Sequence, residues 1–329
     1  MTSQRAERTP VPPAPMLATA GPIPAGDTWA FEPKWDGARA ALRVDGDRTE
    51  LFSRNANNLS SSFPELREAC GAALGRRRAV LDGEVIVLDS LARPSFSLLQ
   101  RRLHVSRPPS SLRTRLAATL VIFDVLHLDG EDLTPLPYQD RRAALEDLAL
   151  GGSNGGSRVV TSPAWTNIEG SAVFEVIEQM GLEGVVAKAT MSPYQAGRRS
   201  RLWVKTPVRR SNLFAVGGWI PSSSRADAVG SLLVGGYNVA GDLVYCGHVS
   251  SGFSDRMRRA LYVQLSEIRS PASPFRSSHP DPDTGRVRWV KPVLVGRVEY
   301  REFTGRLRHA AWKGAQAVDP RLAVVPPLL

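Results

Sequence analysis

Apolar and polar positions alternate at strand spacing early in this chain, and the rhythm then changes repeatedly between strand and helix. WAFEPKW leads to a turn at Asp36-Gly37, ARAALRV follows, and a second turn at Asp45-Gly46 leads into RTELFSR, a hairpin signal of the Asp-Gly type. FPELREACGAALG has helical character, with Pro64 suited to a first turn, Ser61 or Ser62 as cap and glycine as stop. VLDGEVIVLD reads as a strand with Asp82-Gly83 inside it, and SFSLLQRRLH as a helix. TLVIFDVLHL has the β-branched look of a buried strand, and PYQDRRAALEDLAL carries leucine and alanine at helical intervals. Beyond a flexible GGSNGGS loop come an amphipathic helix, GSAVFEVIEQM, stopped at Gly181, and two strands, EGVVAKA and RLWVKTP. The first 25 or so residues, proline-rich and without periodicity, read as an extended arm, so that structure is expected to start near Trp29.

TPVRRS has the composition of a hinge, and the character changes after it. NLFAVGGWI, SLLVGGYNV, LVYCGHV and RWVKPVLVGRVEYREF are short strands with glycine at the bends, and SDRMRRALYVQLSEI is a lone helix among them. That pattern suggests a small closed barrel of the OB type.

The 42 basic residues outnumber 32 acidic ones and leave a net charge of +10, which favours a polyanionic partner, nucleic acid first. With 42% hydrophobic and 22% charged residues the composition is globular and excludes a disordered tail, a collagen and a coiled coil. No apolar run approaches the ~20 residues of a membrane-spanning helix, and the arginine-bearing start has no apolar segment behind it. A cytoplasmic location is expected. Cys70 and Cys246 are too few for a disulfide framework and lack metal-ligand spacing, so both are expected as small buried residues.

Only five of the 42 basic residues are lysines: Lys34, Lys188, Lys205, Lys291 and Lys313. Arginine stays charged, whereas an ammonium can lose its proton and become a nucleophile. Each lysine in so arginine-rich a chain is therefore a candidate for chemistry. Lys34 opens Lys34-Trp35-Asp36-Gly37-Ala38-Arg39 between two strand signals, a pattern that a surface hairpin with a solvated lysine also satisfies. Its company changes that reading. LDGEV supplies Glu84, EGVVAK supplies Glu183 and Lys188, and LWVKTP supplies Lys205, so three lysines and two glutamates fall on strands of one domain.

This ordered set resembles the covalent nucleotidyltransferases, namely ATP-dependent DNA ligases, RNA ligases and mRNA capping enzymes. Within them it is similar to the bacterial end-joining DNA ligases, ligase C and the ligase domain of ligase D, through SRNANNLSSSFPEL and the later phrases VSSGF, WVKPVLVGRVEY, FTGRLRH and WKG. The likeness runs from Ala18 to Leu322. Nothing in the 329 residues resembles the helical DNA-binding domain of eukaryotic ligases, polymerase or phosphoesterase modules, or the zinc site of NAD-dependent ligases, which makes ligase C the better analogue.

The resemblance implies an α+β fold: an N-terminal arm over 1–25, a nucleotidyltransferase (adenylation) domain with antiparallel sheets over 26–208, and an OB-fold barrel over 209–329. It implies a DNA ligase (ATP) that seals a 3′-hydroxyl to a 5′-phosphate in duplex DNA through a lysine–AMP intermediate on Lys34, in repair or end joining, closing and reopening about the hinge. It also implies that Phe123 stacks on adenine, that Arg39 holds ribose or the nick phosphate, that Glu32 helps to place the base through its backbone, and that Arg54 touches nucleotide or DNA phosphate. Lys313 of WKG would orient the departing pyrophosphate. Phe123 also fits a core aromatic, Arg54 a solvated surface charge, and Lys291 either a DNA contact or a solvent-facing strand position. Asp124 and His127 are expected to be structural.

The residue types suit that chemistry. Attack on a phosphorus needs a neutral amine, and a free lysine has a pKa of about 10.4, so burial or neighbouring positive charge has to favour deprotonation. Lys188 and Lys205 are candidates for that charge and for neutralising the α-phosphate as charge accumulates. A divalent cation, Mg²⁺ or Mn²⁺, needs oxygen ligands, with Glu183 as first choice and Glu84 as second; by resemblance Glu84 alternatively bonds the ribose. One departure stands out. The relatives continue WKG into G-L-R-x-D, whereas this chain reads Gly314-Ala315-Gln316-Ala317-Val318-Asp319, which lacks the arginine and leaves Arg321 as a candidate substitute. An RNA ligase, a GTP-using capping enzyme, and a weakened ligase acting as a DNA-binding scaffold are the alternatives. End-binding and polymerase proteins of end joining are the partners to look for.

Overall fold

The computed structural model describes residues 8–151, 157–276 and 286–327, so most of the GGSNGGS loop and the first seven residues of the arm lie outside the described residues. The chain divides into two units, Met1–Val208 and Arg209–Leu329. Only Val208 and Arg209 separate the last strand of the first unit from the first strand of the second, because most of TPVRRS is itself strand.

The first unit runs β1 (Leu17–Ala20), β2 (Trp29–Pro33), β3 (Ala38–Asp45), β4 (Arg48–Ser53), α1 (Pro64–Leu74), β5 (Arg78–Val87), α2 (Phe96–Leu103), α3 (Ser110–Arg115), β6 (Ala118–Leu128), β7 (Glu131–Asp132), α4 (Tyr138–Asp147), β8 (Val159–Thr161), α5 (Gly170–Gln179), β9 (Gly184–Ala189) and β10 (Arg199–Pro207). Two sheets result, one ordered β1-β10-β9-β2 and one ordered β4-β3-β5-β6-β7 with β8 beside β6. Strand alternation sorts the side chains of the larger sheet. Ala40, Leu42 and Val44 of β3 join Leu66, Cys70 and Leu74 of α1 in the main core. Val80 of β5 and Phe123 of β6 turn the other way and meet Met16, Tyr194 and Trp203. Phe31, Val185 and Ala187 of the smaller sheet pack on Val173 and Ile177 of α5.

Three local expectations are corrected. Asp36-Gly37 does not close a hairpin: β2 pairs with β9, while β3 pairs with β4 and β5, so the chain steps from one sheet to the other there. Gly37 is needed because a Cβ would collide with the Val85 carbonyl, a close approach rather than a tight turn. The N-cap of α1 is Phe63, and neither Ser61 nor Ser62 caps it; Pro64 in the first turn has no N–H to be capped. Structure also begins well before Trp29. Leu17–Ala20, free of proline, pairs in parallel with β10, and Met16 is fully buried.

The second unit contains β11 (Arg210–Pro221), β12 (Val229–Tyr237), β13 (Leu243–Val249), α6 (Asp255–Glu267), β14 (Arg288–Trp289), β15 (Val295–Tyr300), β16 (Glu302–Phe303), β17 (Leu307–Arg308) and β18 (Ala311–Gln316). Its main sheet is ordered β13-β12-β11-β15-β18, with β14 beside β11. A parallel bridge between Ser251, just past β13, and Ala311 of β18 joins the two ends of that order and curls the sheet into the OB-type barrel. Phe214, Val234, Val298 and Trp312 fill it, and Leu261 and Leu265 of α6 pack on the same core. Cys70 and Cys246 are buried free thiols, and burial pushes them up to about 12 and about 11 respectively. Among the described residues no helix is long and apolar enough to cross a membrane.

Candidate active site

Strands β2, β9 and β10 of the smaller sheet carry the lysines of interest or lead into them. Lys34 follows β2 directly, and its backbone N–H donates to Gly184 O at 2.7 Å, so the strand geometry persists to its Cα. Lys188 lies within β9 and faces Trp203 of β10 in the register. Glu183 immediately precedes β9, and Glu32 lies two residues before Lys34 on β2.

Two lysine–glutamate pairs form across these strands. Lys34 is ion-paired with Glu183, the lysine side chain retaining 22% exposure and the glutamate 6%. Deeper in, Lys188 Nζ lies 2.6 Å from Glu32 Oε1, with 2% of each side chain exposed. Tyr138 of α4 donates to the same Glu32 oxygen at 2.5 Å, and Lys188 donates to Phe123 O at 2.8 Å. The Lys188 ammonium also lies 4.5 Å from the Trp203 ring centre and 4.7 Å from that of Phe123. Burial pulls its pKa below the ordinary value although Glu32 opposes this. Burial, reinforced by Glu32, holds the Tyr138 phenol well above its usual range, so it acts as donor.

Arg39 of β3 is clamped by Asp82 of β5, Nε to Oδ1 at 2.6 Å and Nη2 to Oδ2 at 2.5 Å. Burial disfavours its cation, but Asp82 outweighs that and holds the guanidinium above its ordinary pKa. The guanidinium carbon stands 4.7 Å from the Phe123 ring centre. Strand alternation turns the Phe123 ring to the pocket while Ile122 stays in the core, and a bulge leaves Phe123 unmatched, Asp82 pairing with Asp124 and Gly83 with Ile122. Glu84 lies opposite Arg39 in the β3–β5 register. Burial pushes its carboxyl up to about 8, against the pull of Arg39 and Lys34 and with the repulsion of Glu183 and Asp82. Lys205 of β10 is held below its usual value by desolvation, and then by the charges of Lys34 and Arg199.

These groups line one pocket of about 190 Å³: Glu32, Lys34, Arg39, Arg54, Glu84, Phe123, Lys188 and Lys205 all contribute, and Glu183 reaches it through Lys34. Arg54, in the exposed turn after β4, stands at its edge. The arrangement departs from expectation in two respects. The group in contact with Lys34 is a carboxylate rather than a lysine, and the Lys188 charge is occupied by Glu32. The resemblance gives Glu32 a role through its backbone, whereas its side chain also anchors two partners, Lys188 and Tyr138.

Lys291 and Lys313 belong to the second unit. Lys313 Nζ contacts Glu299 at 2.8 Å on the barrel surface, and Lys291 is exposed just past β14. Arg321, the candidate substitute for the missing arginine, donates to Gly241 O at 2.8 Å and lies over the Tyr237 ring. Asp124 is structural, as expected: it forms a buried pair with Arg141 at 2.8 Å.

Among the described residues no three acidic, histidine or cysteine side chains gather into a metal-binding group. A Mg²⁺ ion needs fewer, since it binds through one or two carboxylates plus phosphate oxygens and keeps several waters. Glu183 and Glu84, near enough to repel one another beside Lys34, fit that requirement. Sequence reasoning missed Asp82, Tyr138, Tyr194 and Trp203. Asp82 alone carried a signal, because it lies two residues from Glu84 on the same strand and so faces the same way.

Comparison with known proteins identifies the family. The ATP dependent DNA ligase domain matches residues 15–206, and the ATP dependent DNA ligase C terminal region matches residues 225–318. A multifunctional non-homologous end joining protein LigD of Mycobacterium bovis is 38% identical over 306 residues, which are 92% of this chain and 38% of that protein. The chain therefore spans well under half the length of that relative. DNA ligase C2 of Mycolicibacterium smegmatis is 35% identical over 324 residues, covering 91% of this chain and 89% of the relative. A solved mycobacterial DNA ligase D, complexed with ATP and MES, is 37% identical with a TM-score of 0.54, covering 95% of this chain and 98% of that one.

Proposed function

The chain belongs to the ATP-dependent DNA ligase family, and from that premise we propose that it joins a 3′-hydroxyl to a 5′-phosphate in nicked or broken duplex DNA, with Lys34 as the group that carries AMP. One observation carries the reading most directly. Lys34 and Lys205 are the pocket lysines left partly open to solvent, and of these Lys34 is ion-paired with Glu183, whereas Lys188 is sealed against Glu32.

In the first step the Lys34 amine attacks the α-phosphorus of ATP. An N–P bond forms, the bond to pyrophosphate breaks, and the amine proton leaves to solvent, to which Lys34 is partly open. The α-phosphate gains charge as this happens, and Lys205, facing the same pocket, offsets it. The 5′-phosphate of the DNA then takes the AMP, and the 3′-hydroxyl displaces it in the third step. Phe123 and Arg39 hold the nucleoside, Glu32 shapes the floor through Lys188, and Arg54 at the rim contacts phosphate. Lys313 would assist pyrophosphate departure and Lys291 would meet DNA. Mg²⁺, which supplies charge neutralisation at phosphate, would be held by Glu183 first. Glu84, with its pKa near 8, is largely protonated at neutral pH and follows. The excess of arginine suits salt-sensitive binding to the DNA backbone. A role in end joining, alongside end-binding and polymerase proteins, is supported by the LigD and ligase C relatives.

Incubation with labelled ATP and Mg²⁺ tests the core of this: label should be covalently retained by the unaltered chain and lost in Lys34→Ala. Retention by Lys34→Ala would remove the proposed nucleophile. Labelled GTP in parallel separates a capping-type reaction, and nicked DNA and RNA duplexes separate the sealing substrates.

A further inference from the structure

The Arg39–Asp82 clamp does not stand by itself. The Tyr194 hydroxyl donates to Asp82 Oδ2 at 2.5 Å, and the Met16 backbone N–H donates to the same hydroxyl at 3.0 Å. Arg39 Nη2 closes the circuit by donating to Met16 O at 3.2 Å. Met16 thus uses both of its backbone polar groups on one ring of hydrogen bonds, with Tyr194, Asp82 and Arg39 as the other members. The Met16 side chain is fully buried and Tyr194 is 5% exposed. The Tyr194 ring is edge-on to Trp203 at 5.7 Å, and Trp203 is edge-on to Phe123 at 6.4 Å. Burial and the Asp82 charge keep the phenol protonated, hence a donor, far into the alkaline range.

The geometry has a direct consequence. Asp82 offers two oxygens, and Arg39 engages both, so the carboxylate can rotate only if the guanidinium rotates with it. Tyr194, bonded to Oδ2 and fixed by Met16 and Trp203, blocks that rotation. Arg39 is thereby held with its guanidinium over Phe123, at the pocket where a nucleotide would lie.

We propose that Tyr194 is a positioning residue for nucleotidyl transfer, acting through Asp82 and the Met16 backbone to hold the Arg39 guanidinium against Phe123. The inference rests on the adenylation reading of the pocket. It adds a tyrosine from the β9–β10 connection and a backbone unit from the N-terminal segment, neither of which touches the reacting atoms.

A double-mutant cycle decides between positioning and simple packing. Covalent AMP uptake from labelled ATP is measured across ATP concentrations for the unaltered chain, Tyr194→Phe, Arg39→Ala and the double variant, with melting temperatures recorded for each. Tyr194→Phe keeps the ring against Trp203 and removes only the hydroxyl. It is expected to lower kcat/KM by about five- to tenfold in the Arg39 background, the upper size of an ordinary hydrogen bond's net contribution, and by less than about twofold once Arg39 is alanine. Equal losses in both backgrounds would overturn the proposal, because packing is indifferent to Arg39. If Tyr194→Phe melts below the assay temperature, the whole cycle is run at a temperature below that melting point, with the same two outcomes. Failure of the unaltered chain to take up AMP would instead count against the adenylation reading itself.

Discussion

The two lysine–glutamate pairs that bridge β2 and β9 are built from the same residue types on the same strands, yet they serve opposite ends. Lys188 and Glu32 are sealed, with a tyrosine hydroxyl and a backbone carbonyl completing their hydrogen bonds. Lys34 and Glu183 lie at the pocket with the lysine partly in solvent. A buried pair resists change because either charge left alone in a low-dielectric interior is costly. A pair at a pocket edge can open for a phosphate and exchange its proton. The contrast is therefore one of access, and residue identity does not reveal it.

The strongest way to break the comparison is to exchange the consequences. Lys34→Ala should reduce covalent AMP uptake to background while costing clearly less stability than Lys188→Met, because the Lys34 pair lies at the pocket with the lysine partly in solvent; a drop in melting temperature as large as that of Lys188→Met would show Lys34 to be structural after all. Lys188→Met should behave in the reverse sense and cost about 3–5 kcal/mol in urea unfolding by stranding Glu32. Adding Glu32→Gln should recover part of that loss, and a double variant no more stable than the single one would deny that the pair is coupled.

Glu84 gives a smaller effect with a definite sign. Its folded pKa of about 8 exceeds the ordinary 4.5, so between those values the folded chain binds more protons than the unfolded one. Its contribution to stability is present below about 4.5 and is lost as pH rises through about 8. Glu84→Gln should flatten the decline in melting temperature across that window, and an unchanged slope would assign the decline to other groups. The smallest effect is expected at Lys313, whose pair with Glu299 lies on the barrel surface with 44% of the lysine exposed. Lys313→Ala should shift stability by under about 1 kcal/mol, so any loss of AMP uptake in that variant reports on chemistry rather than folding.

Much of the site was legible before any coordinates. Eight of the residues singled out along the sequence do line one pocket, because each was carried by a short segment whose strand or helix character is local. The partnerships were not legible. Alternation places Asp82 and Glu84 on one face of β5, but nothing in the sequence says that Arg39 takes the first and faces the second. Tyr194 lies 112 positions from Asp82, and no spacing rule spans such a gap. The Asp36-Gly37 turn illustrates the same limit. A local signal identified a reversal, while the choice of β9 as partner for β2 depended on residues 150 positions and more downstream.

By itself the chain determined its inventory: which segments are strands and helices, how few lysines it carries, and which of them sit in ordered motifs with glutamates. Those properties are short-ranged and written in spacing and residue type. Tertiary structure decided which charge meets which, and how much water each retains. Desolvation depends on every neighbour packed around a group, and those neighbours arrive from all over the fold.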